Sequence, residues 1–148
     1  MKVYLIGSLR NPEVPKIVKR IRELGFDVFD DWYAAGPEAD DKWRDYEKAR
    51  GRTYNEALKG LAANHVYHFD LKHLDECDIA VLYLPAGKSG HLELGYAIGR
   101  GKIGYILLDN PERWDVMYLF AEGVFHSFGE LEKELKRVKK EAKKINKK

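Results

Sequence analysis

The chain has one cysteine in 148 residues, Cys77, which excludes an internal disulfide and a cysteine-rich zinc site. It has no apolar run approaching the length needed to cross a bilayer. The opening segment MKVYLIGSLR carries an apolar stretch too short for a secretion signal and reads as a strand. Internal repeats and low-complexity linkers are missing, so a single domain over 1–148 is expected, long enough for a real core. There is no GxGxxG fingerprint and no Walker loop, and nothing argues for NAD binding or ATP hydrolysis. The five histidines lack metal-ligand spacing; His65 and His68 are three apart, but no convincing set of carboxylates surrounds them. The expectation is a cytoplasmic protein with no metal, no cofactor and no membrane contact.

What is present is an ordinary globular composition, 45% hydrophobic and 34% charged, with a net charge of +2. That charge is uneven. Residues 130–148 hold nine Lys/Arg and four Glu, leaving 17 basic and 20 acidic side chains elsewhere. The body is therefore not a basic surface, and no nucleic-acid partner is expected. The tail is better read as a solvated helix, with Leu131, Leu135, Val138, Ala142 and Ile145 on one face and lysines on the other.

Residues 2–6 alternate and run into Gly7-Ser8, as a first strand and its turn would. From Pro12 to Leu24, the residues Val14, Ile17, Val18, Ile21 and Leu24 share a helical face, and Gly25 supplies the stop. Residues 26–29 form a short second strand. The stretch 36–68 reads as a helical insertion after strand 2, with one helix over 42–50, a break at Gly51 and another over 53–64. Asp70 reads as the N-cap of a short helix ending at Glu76, and Asp75 and Asp78 as turn and strand-edge acids. The run IAVLYL (79–84) is nearly continuous apolar, as suits a central parallel strand buried on both faces. A Gly/Ser loop then opens a helix to about residue 100, with Gly101 behind it. Strands over 103–108 and 123–126 and a lysine-rich helix over 128–148 complete the chain. Strands alternating with helices predict an α/β fold, a doubly wound, Rossmann-like parallel sheet of about five strands.

In such sheets ligands bind outside the carboxyl ends of the strands, near the point where strand order reverses. Gly7-Ser8-Leu9-Arg10, Asp30-Asp31-Trp32 and Gly87-Lys88-Ser89-Gly90 should converge there. The first offers a glycine, backbone N–H groups, a hydroxyl and a guanidinium, all good phosphate ligands. Arg10 is equally a plain surface arginine. Ser89 is placed to cap the following helix, which puts Glu93 in its first turn, where the dipole favours an ionised carboxylate. A carboxylate held beside a crevice can attack an anomeric carbon. Acids are also common in first turns for stability alone, and position by itself favours that reading. His91 lies next to this site.

Three segments, VYLIGSLRN (3–11), FDLKHLDECDIAVLYLP (69–85) and SGHLELGYAIGRGK (89–102), together with 114–117, resemble the nucleoside 2-deoxyribosyltransferase superfamily, including its nucleoside 5′-monophosphate N-glycosidase branch. The resemblance implies a flavodoxin-like sheet, a homo-oligomer, a small nucleoside or nucleotide substrate, and breakage of a bond between sugar and nucleobase. It implies that Glu93 is the nucleophile, that Tyr4 orients it, and that Asp70 assists the leaving base. Gly7, Ser8 and Arg10 match the loop that grips a 5′-phosphate; Ser89 and Gly90 are implied as further phosphate or sugar contacts, while His91, a substrate-contact candidate by its position beside Glu93, stands where the family has a small residue. Gly87 stands where the transferases carry a base-recognising acid. The expected activity is release of a base from a (deoxy)nucleoside 5′-monophosphate through a glycosyl-Glu93 intermediate. The alternatives are transfer of deoxyribose to a second base and, from another class, nucleotide binding without turnover.

Overall fold

The alternation of apolar residues in KVYLI sends Val3 and Leu5 to one face of a strand and Tyr4 and Ile6 to the other, and all four are buried. That two-sided burial requires helices on both faces of the sheet. The computed structural model, which describes residues 1–111 and 113–147, shows this arrangement. Five parallel strands, β1 (Lys2–Ile6), β2 (Asp27–Phe29), β3 (Ile79–Tyr83), β4 (Ile103–Leu107) and β5 (Gly123–Phe125), lie in the order β2-β1-β3-β4-β5. The predicted α/β, doubly wound parallel sheet is thus the observed fold. Among the described residues no helix is long and apolar enough to cross a membrane.

Helices α1 (Val14–Glu23) and α6 (Phe128–Asn146) cover the face that carries Val3, Leu5, Ile79, Val81, Tyr105 and Leu107. The other face, with Tyr4, Ile6, Ala80, Leu82 and Ile106, packs under α4 (Leu61–Glu76) and α5 (Lys88–Gly99) through Leu74, Leu94 and Ala97. Gly25 and Gly101 follow α1 and α5 with φ of 91° and 83°, the left-handed stop that glycine adopts without a Cβ penalty. The tail helix is capped by Ser127, whose Oγ accepts from the Glu130 N–H at 3.2 Å.

The region after β2 departs from expectation. It holds α2 (Ala39–Ala49), the short α3 (Tyr54–Leu58) and then α4. Thr53 and Glu56 form a reciprocal capping box that starts α3. Gly60 ends that piece, and from Leu61 to Glu76 nothing in the sequence breaks a helix. The predicted helix over 53–64 is therefore two helices, and Asp70 is not an N-cap. It sits in the middle of α4, which carries the helical region past residue 68 and down to the start of β3.

Candidate active site

The order in which the chain adds strands reverses between β1 and β3. From β1 the chain winds outward to β2, and from β3 it winds the other way to β4, so the loops after β1 and β3 face each other across the crevice. After β1 the backbone makes two tight turns. The Ser8 Oγ accepts from the Arg10 N–H at 3.1 Å, and the Asn11 Oδ1 accepts from the Glu13 N–H at 3.0 Å. This second turn delays α1 to Val14, two residues after the predicted start. A Cβ on Gly7 would lie 3.2 Å from Val14 Cγ2 and 3.4 Å from the Trp32 ring, so the loop runs close beneath the indole. Trp32 is fixed by its Nε1–H, which donates to the Leu5 carbonyl at 2.7 Å. The neighbouring Tyr33 is tied to the same loop, its hydroxyl donating to the Asn11 carbonyl at 3.1 Å. Trp43 instead meets Tyr54 edge-on inside the insertion, and the Tyr46 hydroxyl accepts from Arg50 at 2.7 Å.

The start of α5 also differs from expectation. Gly87 is its N-cap and no side chain caps it, so Ser89 is an exposed second helical residue and leaves the first N–H groups uncapped. Gly90 is buried, and a Cβ there would meet Ile6 and Leu82 at 3.0 and 3.1 Å; its absence lets the helix lie close on the sheet. His91 is engaged at both ring nitrogens, with the Gly87 carbonyl at 2.9 Å and the Tyr118 hydroxyl at 2.9 Å, and it stacks on the Tyr118 ring. It ties α5 to the 3-10 turn Val116–Phe120.

Glu93 accordingly lies in the second turn of α5, not the first, and the helix dipole is not what governs it. Gly90, Leu94 and Ala97 are the buried residues of α5, and Glu93 stands at helical spacing from Gly90 and Ala97 on the core-facing stripe. Asp70 has the same relation to Leu74 and Cys77 on α4. Two acids on the inward stripes of two adjacent helices thus meet over the buried Tyr4. Among the described residues neither acid forms an ion pair. The Tyr4 hydroxyl is buried and interacts with Glu93 without completing a hydrogen bond of regular geometry.

Electrostatics follow from that placement. Burial, then the charge of Asp70, lifts the Glu93 carboxyl from 4.5 to about 7, while the Tyr4 hydroxyl opposes the shift. Burial lifts Asp70 from 3.8 to about 6. Burial and both acids push the Tyr4 phenol far up, so it stays a protonated donor. Two unpaired, upward-shifted acids beside a crevice mark a functional site better than a structural one, because the fold loses stability by keeping them.

That loss is measurable. A folded-state pKa above the unfolded value gives stability that is present below about pH 4.5 and disappears as pH rises to about 7. Glu93→Gln is therefore expected to stabilise the fold at about pH 8 by on the order of 1–2 kcal/mol, with partial solvent access taken into account, and to have little effect at about pH 4. Thermal melts of both proteins at the two pH values check this; equal melting temperatures at the higher pH would refute it.

No family model and no curated protein matches this chain. Among solved structures it is similar to a CMP N-glycosidase from Clostridium botulinum, with 14% identity and a TM-score of 0.56 over 91% of this chain and 98% of that one. It is also similar to a 2-deoxyribosyltransferase from Bacillus psychrosaccharolyticus, with 20% identity and a TM-score of 0.61 over 89% of this chain and 90% of that one. The likeness is one of fold.

The structure thus brings Tyr4, Asp70 and Glu93 together and puts Gly7, Ser8 and Arg10 on the loop after β1 and Ser89, Gly90 and His91 in the first turn of α5. Arg10 does not point freely into the crevice: its Nη2 donates to Asp41 on α2 at 3.1 Å. Sequence reasoning missed Asp41, Tyr118 and the fixing of Trp32. Those contacts join residues 27 or more positions apart, and no local pattern announces them. Among the described residues no group of three His, Cys, Asp or Glu side chains could hold a metal ion.

Proposed function

We propose that the protein is an N-glycosidase of the nucleoside 2-deoxyribosyltransferase superfamily that releases the base from a (deoxy)nucleoside 5′-monophosphate. The observation that carries this is the pair of unpaired acids, Asp70 and Glu93, meeting over Tyr4 at the ligand edge of this sheet. The fold shared with a CMP N-glycosidase and a 2-deoxyribosyltransferase supports it. In the first step a Glu93 oxygen bonds to C1′ as the bond from C1′ to the base breaks. The bond's electron pair goes to the base, and a proton from Asp70 neutralises it. In the second step water attacks C1′, the ester bond to Glu93 breaks, and the water's proton returns to Asp70. Tyr4 donates to the Glu93 carboxylate and holds the attacking oxygen in place. Ser8 and Arg10, with the uncapped N–H groups at Ser89 and Gly90, bind the phosphate.

Chromatography of a nucleotide panel after incubation tests the reaction: free base and sugar phosphate are expected. Arg10→Ala should lower kcat/KM at least about tenfold for phosphorylated substrates and leave unphosphorylated nucleosides unchanged. Equal losses on both would remove Arg10 from phosphate recognition. The likeness to a 2-deoxyribosyltransferase favours a second reading, in which another base takes the place of water. A new nucleoside formed on adding an acceptor base, in preference to free sugar, would establish it.

The active protein is proposed to be a homo-oligomer. Leu92 is exposed at 75%, and Trp114, Leu119 and Phe120 at 89%, 84% and 72%, large apolar side chains of the kind that an interface covers. Because His91 ties α5 to this surface, a second copy seated there would also close the site. Light scattering should give a multiple of 17.1 kDa. Leu119→Glu should dissociate the assembly and lower activity; a wild-type monomer with full activity would contradict the proposal.

A further inference from the structure

The insertion helix α2 places an acid on the one cation of the loop after β1. Asp41 Oδ2 accepts from Arg10 Nη2 at 3.1 Å. The other carboxylate oxygen, Oδ1, faces Arg44 Nη1 at 3.5 Å, one helical turn along α2. Arg44 also donates through Nε to Asp45 at 3.0 Å. Among the described residues, the pair of Arg10 and Asp41 is the one ion pair that joins α2 to the first strand's loop. A single anionic group is thus held between two guanidiniums from separate elements, which is how proteins clamp a phosphate.

This arrangement and a bound phosphate exclude each other. A phosphate on Arg10 with Asp41 still in place would set a dianion against a carboxylate. The exchange is easy, because Arg10, Asp41 and Arg44 are 70%, 46% and 54% exposed and nothing buried fixes the acid. The incoming group has the higher charge and three acceptor oxygens against two.

We propose that Asp41 is an internal stand-in for the substrate's phosphate: the phosphate displaces it from Arg10 and takes Arg44 as a second ligand. The inference rests on the reading of Arg10 as a phosphate ligand. An unphosphorylated nucleoside has no group to displace Asp41, so the pair stays closed and adds nothing to its binding, and the preference for the phosphorylated form arises without any clash.

The test is calorimetric titration with ribose 5-phosphate, and with ribose as the unphosphorylated control. Asp41→Asn should tighten ribose 5-phosphate binding about two- to fivefold and leave ribose unchanged. Asp40→Asn, which removes a neighbouring charge that does not touch Arg10, should change binding much less. Arg44→Ala should weaken ribose 5-phosphate binding about five- to tenfold; if Arg44 only held Asp41 in place, its removal would tighten binding instead. The stand-in is overturned if Asp41→Asn binds no more tightly than wild type or Asp40→Asn. The second-ligand role is overturned if Arg44→Ala binds as well as wild type or better. Failure of the underlying reading looks different: ribose 5-phosphate binding would then be indifferent to Arg10→Ala as well.

Discussion

Glu93→Ala is expected to reduce base release at least about 1,000-fold, because removing a nucleophile leaves only binding and the remaining polar groups to lower the barrier. The measurement is initial rate of free base by chromatography with saturating nucleotide. Substrate binding should survive, since the proposed phosphate contacts lie on the loop after β1 and in the first turn of α5, not in its second turn. Thermal melts at the assay pH separate loss of chemistry from loss of fold, and removing this upward-shifted acid lifts one cost of burial at neutral and higher pH. Glu93→Gln makes the same point at constant shape. It keeps the volume and a polar end on the core stripe but offers no carboxylate to C1′. Base release that persisted in both variants would remove Glu93 from the chemistry and return it to the role of a helix acid.

Asp70→Asn should lower kcat about 100-fold or more and change the pH profile in a way a merely structural residue would not. In the wild type the first step needs one proton on the pair of acids, on Asp70, with Glu93 ionised. With the two groups titrating at about 6 and about 7, activity should follow a narrow bell, and its flanks belong to the pair and not to either residue alone. Asn carries no dissociable proton, so the alkaline limb should disappear. It is also uncharged, as the protonated Asp70 facing Glu93 is at the acid limb, so that limb should stay close to its wild-type position. A phosphate monoester has its own ionisation near about 6, but that limb is common to both proteins and cancels in the comparison. An unchanged bell in Asp70→Asn would show that the proton reaching the base comes from elsewhere.

Wherever burial imposes a period on the chain, the sequence declared the structure. The alternation at Tyr4 and Ile6, the unbroken IAVLY run of β3 and the stripe of α1 each mark which side faces the core, and each element lies within two residues of its predicted bounds. The same period carried an unused signal for the acids. Asp70 stands at helical spacing from Leu74 and Cys77, and Glu93 from Gly90 and Ala97. A carboxylate on an apolar stripe is costly and points to a purpose. Local capping rules misplaced both residues, because Asp and Ser are preferred caps in general but neither caps here; Gly60 and Gly87 open the helices. Arg10 and Asp41 were beyond reach for a different reason. They are 31 residues apart and meet only because the insertion folds back over the loop, a matter of tertiary path and not of pattern.

The strand order also fixes when such a site can exist during folding. β1 lies beside β3, and the Lys2 N–H donates to Asp78, 76 positions further along the chain. Tyr4 arrives with the first of these strands, Asp70 with the helix leading into the second, and Glu93 with the helix leaving it. Pairing over so long a stretch pays its loop-closure entropy before any contact rewards it, the slow kind of event in folding. No hairpin or helical fragment of the chain holds the three groups in advance. Competence for chemistry therefore arises together with the central closure of the sheet, and a nascent chain with unpaired β3 carries no exposed, half-built nucleophile.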